Sequence, residues 1–318
     1  MCRPEVSGWH VEELIYMKRR ITNARARRDV VAGHLFLTPS YILTIAFVVA
    51  PLIYAIYLGF CKYNGFSQMK WIGFENYIKL FKDDKFWTAM KNSLVYAALT
   101  VPSLIVFSLA ISAILAGKFR NKFGQATRII LYLPTMVSLV LVASIFFFIF
   151  ASGDDGIVNT ILGWFGIPQQ NWLGQRSTAM PVVAFVFLWK NLGYQVVYFY
   201  AGIMDIPRDY YEAARLDGAS FWQQFRYITL PTLKPILYMV LVNLILGAFQ
   251  AFDIPYAMTA GGPGNATLLP GYHIYLYAFQ SRRMGYASAY ALVLGLFTFG
   301  VNMIARKVMK EKVGENDG

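Results

Sequence analysis

The sequence contains little charge and little cysteine. Only 14% of its 318 residues are charged and 57% are hydrophobic, whereas a soluble domain carries about a quarter charged residues. This composition indicates a membrane protein. The two cysteines, Cys2 and Cys61, flank the first long apolar run, so a disulfide between them within one chain is excluded if that run crosses the membrane.

Histidine is also scarce, and one nucleotide-binding motif is absent. The three histidines, at positions 10, 34 and 273, lack the spacing of metal ligands, and we expect no metal site. A membrane enzyme would need histidines clustered with acids, so this class is disfavoured. The phosphate-binding loop G-x-x-x-x-G-K-[ST] is missing from the sequence, and we therefore do not expect the chain to hydrolyse ATP itself.

Six long apolar runs are present instead. Five of them contain no charged residue, and the sixth contains a single one, Lys190. Each approaches the roughly 20 residues that a helix needs to cross about 30 Å of hydrocarbon. The sequence therefore predicts an all-α, polytopic membrane protein with about six transmembrane helices, in a transmembrane domain of residues 35–308 between tails at 1–34 and 309–318. The predicted spans are 35–60, 93–116, 129–150, 181–203, 235–252 and 286–305.

Lysine and arginine are distributed unevenly between the two sides that six spans create. Of the 29, 19 lie in the N-terminal tail, in the loops 117–128 and 204–234, or after residue 305, and nine lie on the other side. This excess predicts that both termini and the 204–234 loop are cytoplasmic. We attribute most of the net charge of +12 to anchoring at anionic lipid rather than to nucleic acid.

One compact polar element, residues 211–231, interrupts the apolar runs. Pro207 suits the first turn of a helix, and Gly218 is typical of the left-handed residue that ends one. Ser220 and Gln223 have the spacing of a capping box, which starts a second helix that we expect to end near Pro231. The pattern predicts two short helices joined by a glycine turn. By itself it leaves open whether they form a docking site or an amphipathic connector on the inner leaflet.

This element and much of the chain resemble a known family. The runs Glu212-Ala213-Ala214, Asp217-Gly218-Ala219 and Ile228-Thr229-Leu230-Pro231 look like the EAA loop of permease subunits in binding-protein-dependent ABC importers. The segments 73–93, 249–267 and 284–297 resemble the carbohydrate-uptake subgroup, which is similar to the maltose and glycerol-phosphate systems. Together the resemblance covers roughly residues 30–310.

The resemblance implies a type I ABC importer permease fold and a set of partners in the bacterial cytoplasmic (inner) membrane. The partners are a second, different permease subunit, two ATP-binding subunits that carry ATP and Mg²⁺, and an extracytoplasmic solute-binding protein. No cofactor and no enzymatic activity are expected on this chain.

The resemblance also implies roles for two loops. The 204–234 loop would form the coupling helix that docks in a cleft of the ATPase, through Glu212, Ala213, Ala214, Asp217 and Gly218. The glycine-rich outer loop would face the binding protein, through Gly261, Gly262, Pro263 and Gly264. The alternative for the outer loop is an ordinary turn.

Polar side chains in the fourth and fifth predicted spans are candidates for a substrate path, because such groups are costly in a membrane. They are Lys190, Asn191, Tyr194, Gln195 and Tyr198 in the fourth span, and Asn243, Gln250 and Asp253 along one face of the fifth. Amides, hydroxyls and rings suit a carbohydrate, and a cation facing a central cavity would favour an acidic saccharide or a sugar phosphate. The alternative is that these groups join helix to helix, or that Lys190 reaches the interface.

We therefore expect the transmembrane permease subunit of an ATP-driven importer for a saccharide. The alternative is an ion-coupled secondary transporter or channel that acts without an ATPase. That alternative predicts chains of buried acids or histidines, whereas the predicted spans contain one lysine and no acid.

Overall fold

The computed structural model describes residues 24–119 and 121–314. Residues 1–23, which make up most of the predicted cytoplasmic N-terminal tail, and residues 315–318 lie outside the described residues. The described chain divides into two compact units, Met1–Tyr57 and Leu58–Gly318. The predicted domain boundaries at residues 35 and 308 stay a prediction.

The first unit is dominated by one long helical run. Helix α1 (Ala24–Thr44) passes through a π-helical turn (Ile45–Val49) into α2 (Ala50–Gly59). Apolar side chains such as Leu35, Phe36 and Phe47 are exposed along this run. A helix that is apolar all round is typical of a membrane span.

The second unit begins with a short antiparallel ribbon, β1 (Cys61–Lys62) with β2 (Lys70–Trp71), in which Cys61 pairs with Trp71. The rest of the unit is helical. Its helices are α3 (Glu75–Phe81), α4 (Asp84–Lys118), α5 (Lys122–Met136), α6 (Leu139–Ile149), α7 (Ile157–Gly163), α8 (Arg176–Met204), α9 (Arg208–Leu216), α10 (Phe221–Gln224), α11 (Leu230–Thr232), α12 (Lys234–Phe249), α13 (Asp253–Met258), α14 (Pro270–Tyr275) and α15 (Met284–Gly314).

Five helical segments among the described residues are long and apolar enough to cross a membrane. They are Val31–Gly59, Asp84–Lys118, Arg176–Met204, Lys234–Met258 and Met284–Lys307, and they overlap five of the six predicted spans. The remaining predicted span, 129–150, differs from a straight helix. It is formed by α5 and α6, which meet at an angle of 99°.

The core of the second unit lies between α4, α8, α12 and α15. Tyr96, Phe199, Phe249 and Tyr290 are among its largest fully buried side chains. Small residues allow the helices to approach closely, as is common between membrane helices. Ser112 of α4 donates a hydrogen bond of 2.9 Å to the carbonyl of Val196 in α8.

Helices α5 and α8 come into backbone contact at Gly193. A Cβ atom at this position would collide with the carbonyl of Leu131. The close approach brings the end of α5, where the third span breaks, next to the polar residues of α8.

Candidate functional site

The polar element forms two short helices joined by a glycine turn, as predicted. Helix α9 ends at Leu216, and Gly218 follows with a φ of 78°, in the left-handed region that favours glycine. Helix α10 begins with a complete capping box. The backbone N–H of Ser220 donates to Gln223 Oε1 at 2.7 Å, and that of Gln223 donates to Ser220 Oγ at 3.3 Å.

The second helix ends near Pro231, as predicted, although its course is not regular. A π-helical turn (Phe225–Thr229) follows α10 and leads directly into α11, where Pro231 lies in the first turn. Proline lacks an N–H and its ring clashes with the preceding turn of a regular α-helix. The chain therefore continues to Thr232 through the widened turn.

The helix pair is fixed to the membrane helices. Tyr211 and Thr229 share a hydrogen bond of 2.8 Å between their hydroxyls. The ring of Phe221 packs so closely on Gly117, at the end of α4, that a Cβ there would lie 3.1 Å from it. These contacts enclose a cavity of about 270 Å³ that is lined in part by Arg208, Glu212 and Arg215. A force on the pair would therefore reach α4 and α8 directly.

Most of the predicted coupling residues are exposed on this pair. Glu212, Ala213, Asp217 and Gly218 are exposed, and Ala214 is half-buried. Sequence reasoning missed Leu216, which is 90% exposed between them. A single leucine in a polar turn was the available signal, since an exposed apolar side chain of this size suits a contact with another protein.

Lys190 contacts the end of α5. Its Nζ donates hydrogen bonds to the backbone carbonyls of Pro134 at 3.3 Å and Thr135 at 3.0 Å. These carbonyls belong to the last turn of α5, where the helix dipole favours a cation. The Pro134 carbonyl also accepts from the N–H of Val137 at 3.3 Å. The hydroxyl of Ser138, just past the break, caps α6 by accepting from the N–H of Leu141. Lys190 and Ser138 thus stabilise the two sides of the break in the third span.

The other α8 candidates contact one another or their own helix. Asn191 donates to the carbonyl of Phe187 at 2.8 Å. Tyr194 and Tyr198 share a hydrogen bond of 2.7 Å, and their rings pack edge to face. Gln195 is buried in the core. Along α8, Gln195 is thus buried, Tyr194 is exposed, and Asn191 and Tyr198 are half-buried.

The predicted stripe of the fifth span is interrupted. Helix α12 ends at Phe249, and Asp253 starts the separate helix α13, so Asp253 does not continue the helical face of Asn243 and Gln250. Asn243 is exposed and donates to the carbonyl of Met239 at 2.9 Å. Gln250 is also exposed.

Gln250 instead lines a groove between α12 and α15 with a volume of about 660 Å³. Thr298 and Asn302, which lie one turn apart on α15, also line it. The Oδ1 atom of Asn302 is buried without a hydrogen-bond partner among the described residues. Sequence reasoning missed these two residues, although a threonine and an asparagine four positions apart in an apolar run were a signal.

The glycine-rich outer loop is folded and held in place. Gly261 and Gly264 have φ values of 78° and 53°, and the bond between Gly262 and Pro263 is cis. Asn92, near the start of α4, donates to the carbonyls of Asn265 at 2.7 Å and Leu268 at 3.0 Å. The loop therefore presents a defined surface.

A half-buried polar network joins the beginnings of α4 and α15. Tyr277 and Tyr286 donate hydrogen bonds to Asp83 Oδ2 at 2.6 and 2.9 Å, and Asp83 Oδ1 accepts from the N–H of Lys85. Burial opposes the charge of Asp83, but these hydrogen bonds outweigh it and hold the pKa of the carboxyl below its ordinary value. Asp83 therefore accepts these bonds as a carboxylate at neutral pH.

His273 lies beside this network. Its ring is buried 4.7 Å from that of Tyr277 and 5.6 Å from that of Tyr290. Burial lowers the pKa of His273 to about 4, against the opposing effect of the Asp83 carboxylate. The side chain is thus neutral at pH 7. In the part of the chain that the structure describes, no group of three or more histidine, cysteine or acidic side chains could hold a metal ion.

Comparison with known proteins identifies the family. Residues 108–310 match the family of binding-protein-dependent transport system inner membrane components. The chain belongs to this family. It is therefore an ABC importer permease, a membrane component rather than an enzyme, and the resemblance found in the sequence is confirmed.

Two curated relatives of this permease cover nearly the whole chain. The probable ABC transporter permease protein YurN of Bacillus subtilis is 36% identical over 89% of this chain and 97% of its own length. The arabinooligosaccharides transport system permease protein AraP of the same organism is 31% identical over 97% of this chain and 94% of its own. The permease thus groups with relatives that include sugar-uptake permeases.

A solved structure shows the same fold. The permease matches a chain of the bacterial alginate ABC transporter, solved in complex with an alginate pentasaccharide-bound periplasmic protein, with a TM-score of 0.77 and 24% identity. The match covers 92% of this chain and 98% of that one. The predicted all-α fold of an ABC importer permease is confirmed.

Proposed function

We propose that this permease forms half of the translocation pathway of an ATP-driven importer for an oligosaccharide. The observation that carries the proposal is the exposed, capped helix pair α9–α10, fixed to α4 and α8 in a chain of this family. The relative AraP, whose name gives arabinooligosaccharides as its solute, supports the saccharide class. The groove between α12 and α15, with its amide and hydroxyl groups, supports it as well.

The helix pair is proposed to couple the permease to a separate ATPase. Glu212 and Asp217 are exposed for polar contacts, Ala213 and Ala214 allow a close approach, and Gly218 sets the turn. Because the pair packs on Gly117 and lies between α8 and α12, a push on it would move those helices as rigid bodies. ATP and Mg²⁺ would then be held by the two ATPase subunits, with no cofactor on this chain.

The remaining partners are also proposals. A second, different permease subunit would complete the pathway. A solute-binding protein would dock at the outer loop through Gly261, Gly262, Pro263 and Gly264, a surface that Asn92 holds in place. The charge distribution supports a multi-pass orientation in the bacterial cytoplasmic membrane with both termini inside.

An acidic or phosphorylated solute was expected because the Lys190 cation could attract it. Its ammonium group hydrogen-bonds two backbone carbonyls at the end of α5. We therefore propose a neutral oligosaccharide. The candidates Asn191, Tyr194, Gln195, Tyr198, Asn243 and Asp253 stay predictions for the path, alongside Gln250 in the groove.

The test uses the assembled importer in proteoliposomes with its binding protein. Neutral oligosaccharides should stimulate ATP hydrolysis and be taken up, and acidic ones of equal length should not. Glu212→Ala should lower uptake and weaken co-purification of the ATPase, whereas Asp209→Asn, on the same helix but outside the motif, should change neither. Unchanged co-purification and uptake in Glu212→Ala would contradict the coupling role, and equal uptake of acidic sugars would contradict the neutral solute.

A further inference from the structure

A cluster of aromatic rings lies at the outer end of the fifth span. Its members, which we call the outer platform, are Phe252, Tyr256, Tyr272, Tyr275 and Phe279. Phe252 stacks on Tyr256 at 5.2 Å between ring centroids. Tyr275 lies 5.2 Å from Phe252 and 5.3 Å from Phe279. The five rings therefore form one continuous group.

The outer platform has a buried base and an accessible surface. Tyr272 is only 6% exposed and packs against the ring of Tyr256 at 5.8 Å. Tyr256 is 43% exposed and Phe279 is 63% exposed, and the other two rings are half-buried. Aromatic residues that served only to fill the core would not leave ring faces open to this extent.

Close backbone packing holds the outer platform in position. A Cβ atom at Gly271, which precedes Tyr272, would lie 2.9 Å from the carbonyl oxygen of Ala251, which precedes Phe252. The two chain segments that carry most of the rings are thus in direct contact. Their rings are preorganised, which lowers the entropy cost of binding a ligand.

The outer platform adjoins the groove between α12 and α15. Gln250 and Ile274 line the groove. Phe252 of the outer platform follows Gln250 by two residues, and Tyr275 directly follows Ile274. A solute on the rings would therefore lie beside the groove that carries the side chains of Gln250, Thr298 and Asn302.

The chemistry of this surface fits a sugar. None of the five side chains is charged, three carry a phenolic hydroxyl, and each presents an apolar ring face. A saccharide offers apolar C–H faces and hydroxyl groups, which match rings and phenols respectively. Ligand sites commonly combine such an aromatic lining with a few polar groups. Aromatic residues of an interfacial belt are distributed along the membrane surface, whereas these five converge beside one groove.

We propose that the outer platform receives the saccharide before it enters the groove, with the sugar rings stacked on Tyr256, Tyr275 and Phe279. This site rests on the proposed saccharide function. It adds a specific surface at which a sugar released outside the membrane is held next to Gln250.

The test measures saccharide uptake per ATP hydrolysed in the full importer, reconstituted with its binding protein. Tyr256→Leu and Phe279→Leu remove a ring face at exposed positions, where folding should be little affected. Each should lower uptake per ATP about three- to tenfold, as expected for the loss of one ring contact. Tyr256→Phe keeps the ring, and its uptake per ATP should stay within about twofold of that of the unmodified importer. The matched control is Phe165→Leu, which removes an exposed ring outside the platform and should have no effect.

Four outcomes would overturn this site. Unchanged uptake per ATP in both leucine variants, in a complex that transports saccharide, would contradict the site alone. Reduced stimulation of the ATPase by the binding protein would make the rings a docking surface for that protein. Loss of the second permease on purification would make them a subunit interface. If the original complex transports no saccharide at all, the proposed function fails, and the site fails with it.

Discussion

At the scale of single residues, the structure changes the interpretation of Lys190. Its two hydrogen bonds to the end of α5 give this charged residue a structural role within the span. We predict that Lys190→Met destabilises the permease by on the order of 2 kcal/mol, because two carbonyls lose their charged partner. Thermal unfolding in detergent should show a lower Tm, and Lys190→Arg should recover part of the loss.

The same variant separates the structural role from a selective one. If Lys190 recognised an anionic solute, Lys190→Met would change the ratio of acidic to neutral saccharide uptake and leave the Tm unaltered. We expect the opposite pattern, a lower Tm with an unchanged ratio.

A second prediction at this scale concerns pH. The pKa of His273 is lowered from its ordinary value of 6.5 to about 4, by burial first, with Lys85 contributing and Asp83 opposing. His273 in the unfolded chain therefore binds a proton as the pH falls through 6.5, whereas in the folded chain it binds one only near pH 4. The stability contributed by neutral His273 is fully present above pH 6.5 and is lost as the pH falls toward 4.

The expected result is a Tm that falls between pH 7 and pH 5, and a shallower fall in His273→Phe, which keeps an aromatic ring between Tyr277 and Tyr290. Asp83 contributes in a different window, since its lowered pKa affects stability only below about pH 4. An equally steep fall in the phenylalanine variant would show that another group causes it.

At the scale of elements, the broken third span shows what the sequence did not reveal. The run 129–150 contains no charged residue, and hydropathy does not detect a bend, so it predicted one span. Pro134 and the capping residue Ser138 lie at the break. The break is also contacted by Gly193 and Lys190, both more than 50 residues away in the chain. In contrast, the glycine turn and the capping box of the 204–234 loop were predictable, because their signals lie within a few residues of the structure they specify.

The candidate site divides in the same way. The exposure of Glu212 and Gly218 follows from a local polar pattern. The groove requires α12 and α15 to pack side by side, so Thr298 and Asn302 could be noticed in the sequence but not assigned to the same space as Gln250. The prediction that Asp253 continues the helical stripe of Asn243 and Gln250 failed because α12 ends at Phe249, four residues before Asp253.

Gly193 offers a prediction at this scale. Gly193→Ala should separate α5 from α8, because the added methyl group would collide with the carbonyl of Leu131. We expect a loss of stability of about 1–3 kcal/mol, comparable to overpacking in a core, and weaker protection of residues 129–150 from hydrogen exchange. The matched control is Gly300→Ala in α15, where a Cβ meets nothing within 4 Å, and which should be neutral or slightly stabilising. Equal effects of the two substitutions would show that the contact at Gly193 is unimportant.

At the scale of the whole molecule, the surfaces proposed for the solute and for the ATPase lie apart on the second unit. The outer loop and the outer platform lie at one end of the spans, and the helix pair α9–α10 follows the other end of α8. An importer that works by alternating access needs such a separation, since the solute and the ATPase act from opposite sides. The contact of Phe221 with Gly117 of α4 is a link by which one end can affect the other, and the hydrogen bond between Tyr211 and Thr229 holds the helix pair together.

Assembly of the complete importer should depend on Leu216. This side chain is 90% exposed at the tip of the helix pair, and burying a leucine fully contributes about 1.5–3 kcal/mol. We predict that Leu216→Asp lowers the affinity for the ATPase subunits about tenfold, measured by titrating them onto the purified permease. Because Leu216 contacts little of its own chain, the Tm of the isolated permease should not change. Asp209→Asn on the same helix serves as the control, and an unaltered ATPase affinity in Leu216→Asp would place the docking surface elsewhere on the cytoplasmic side.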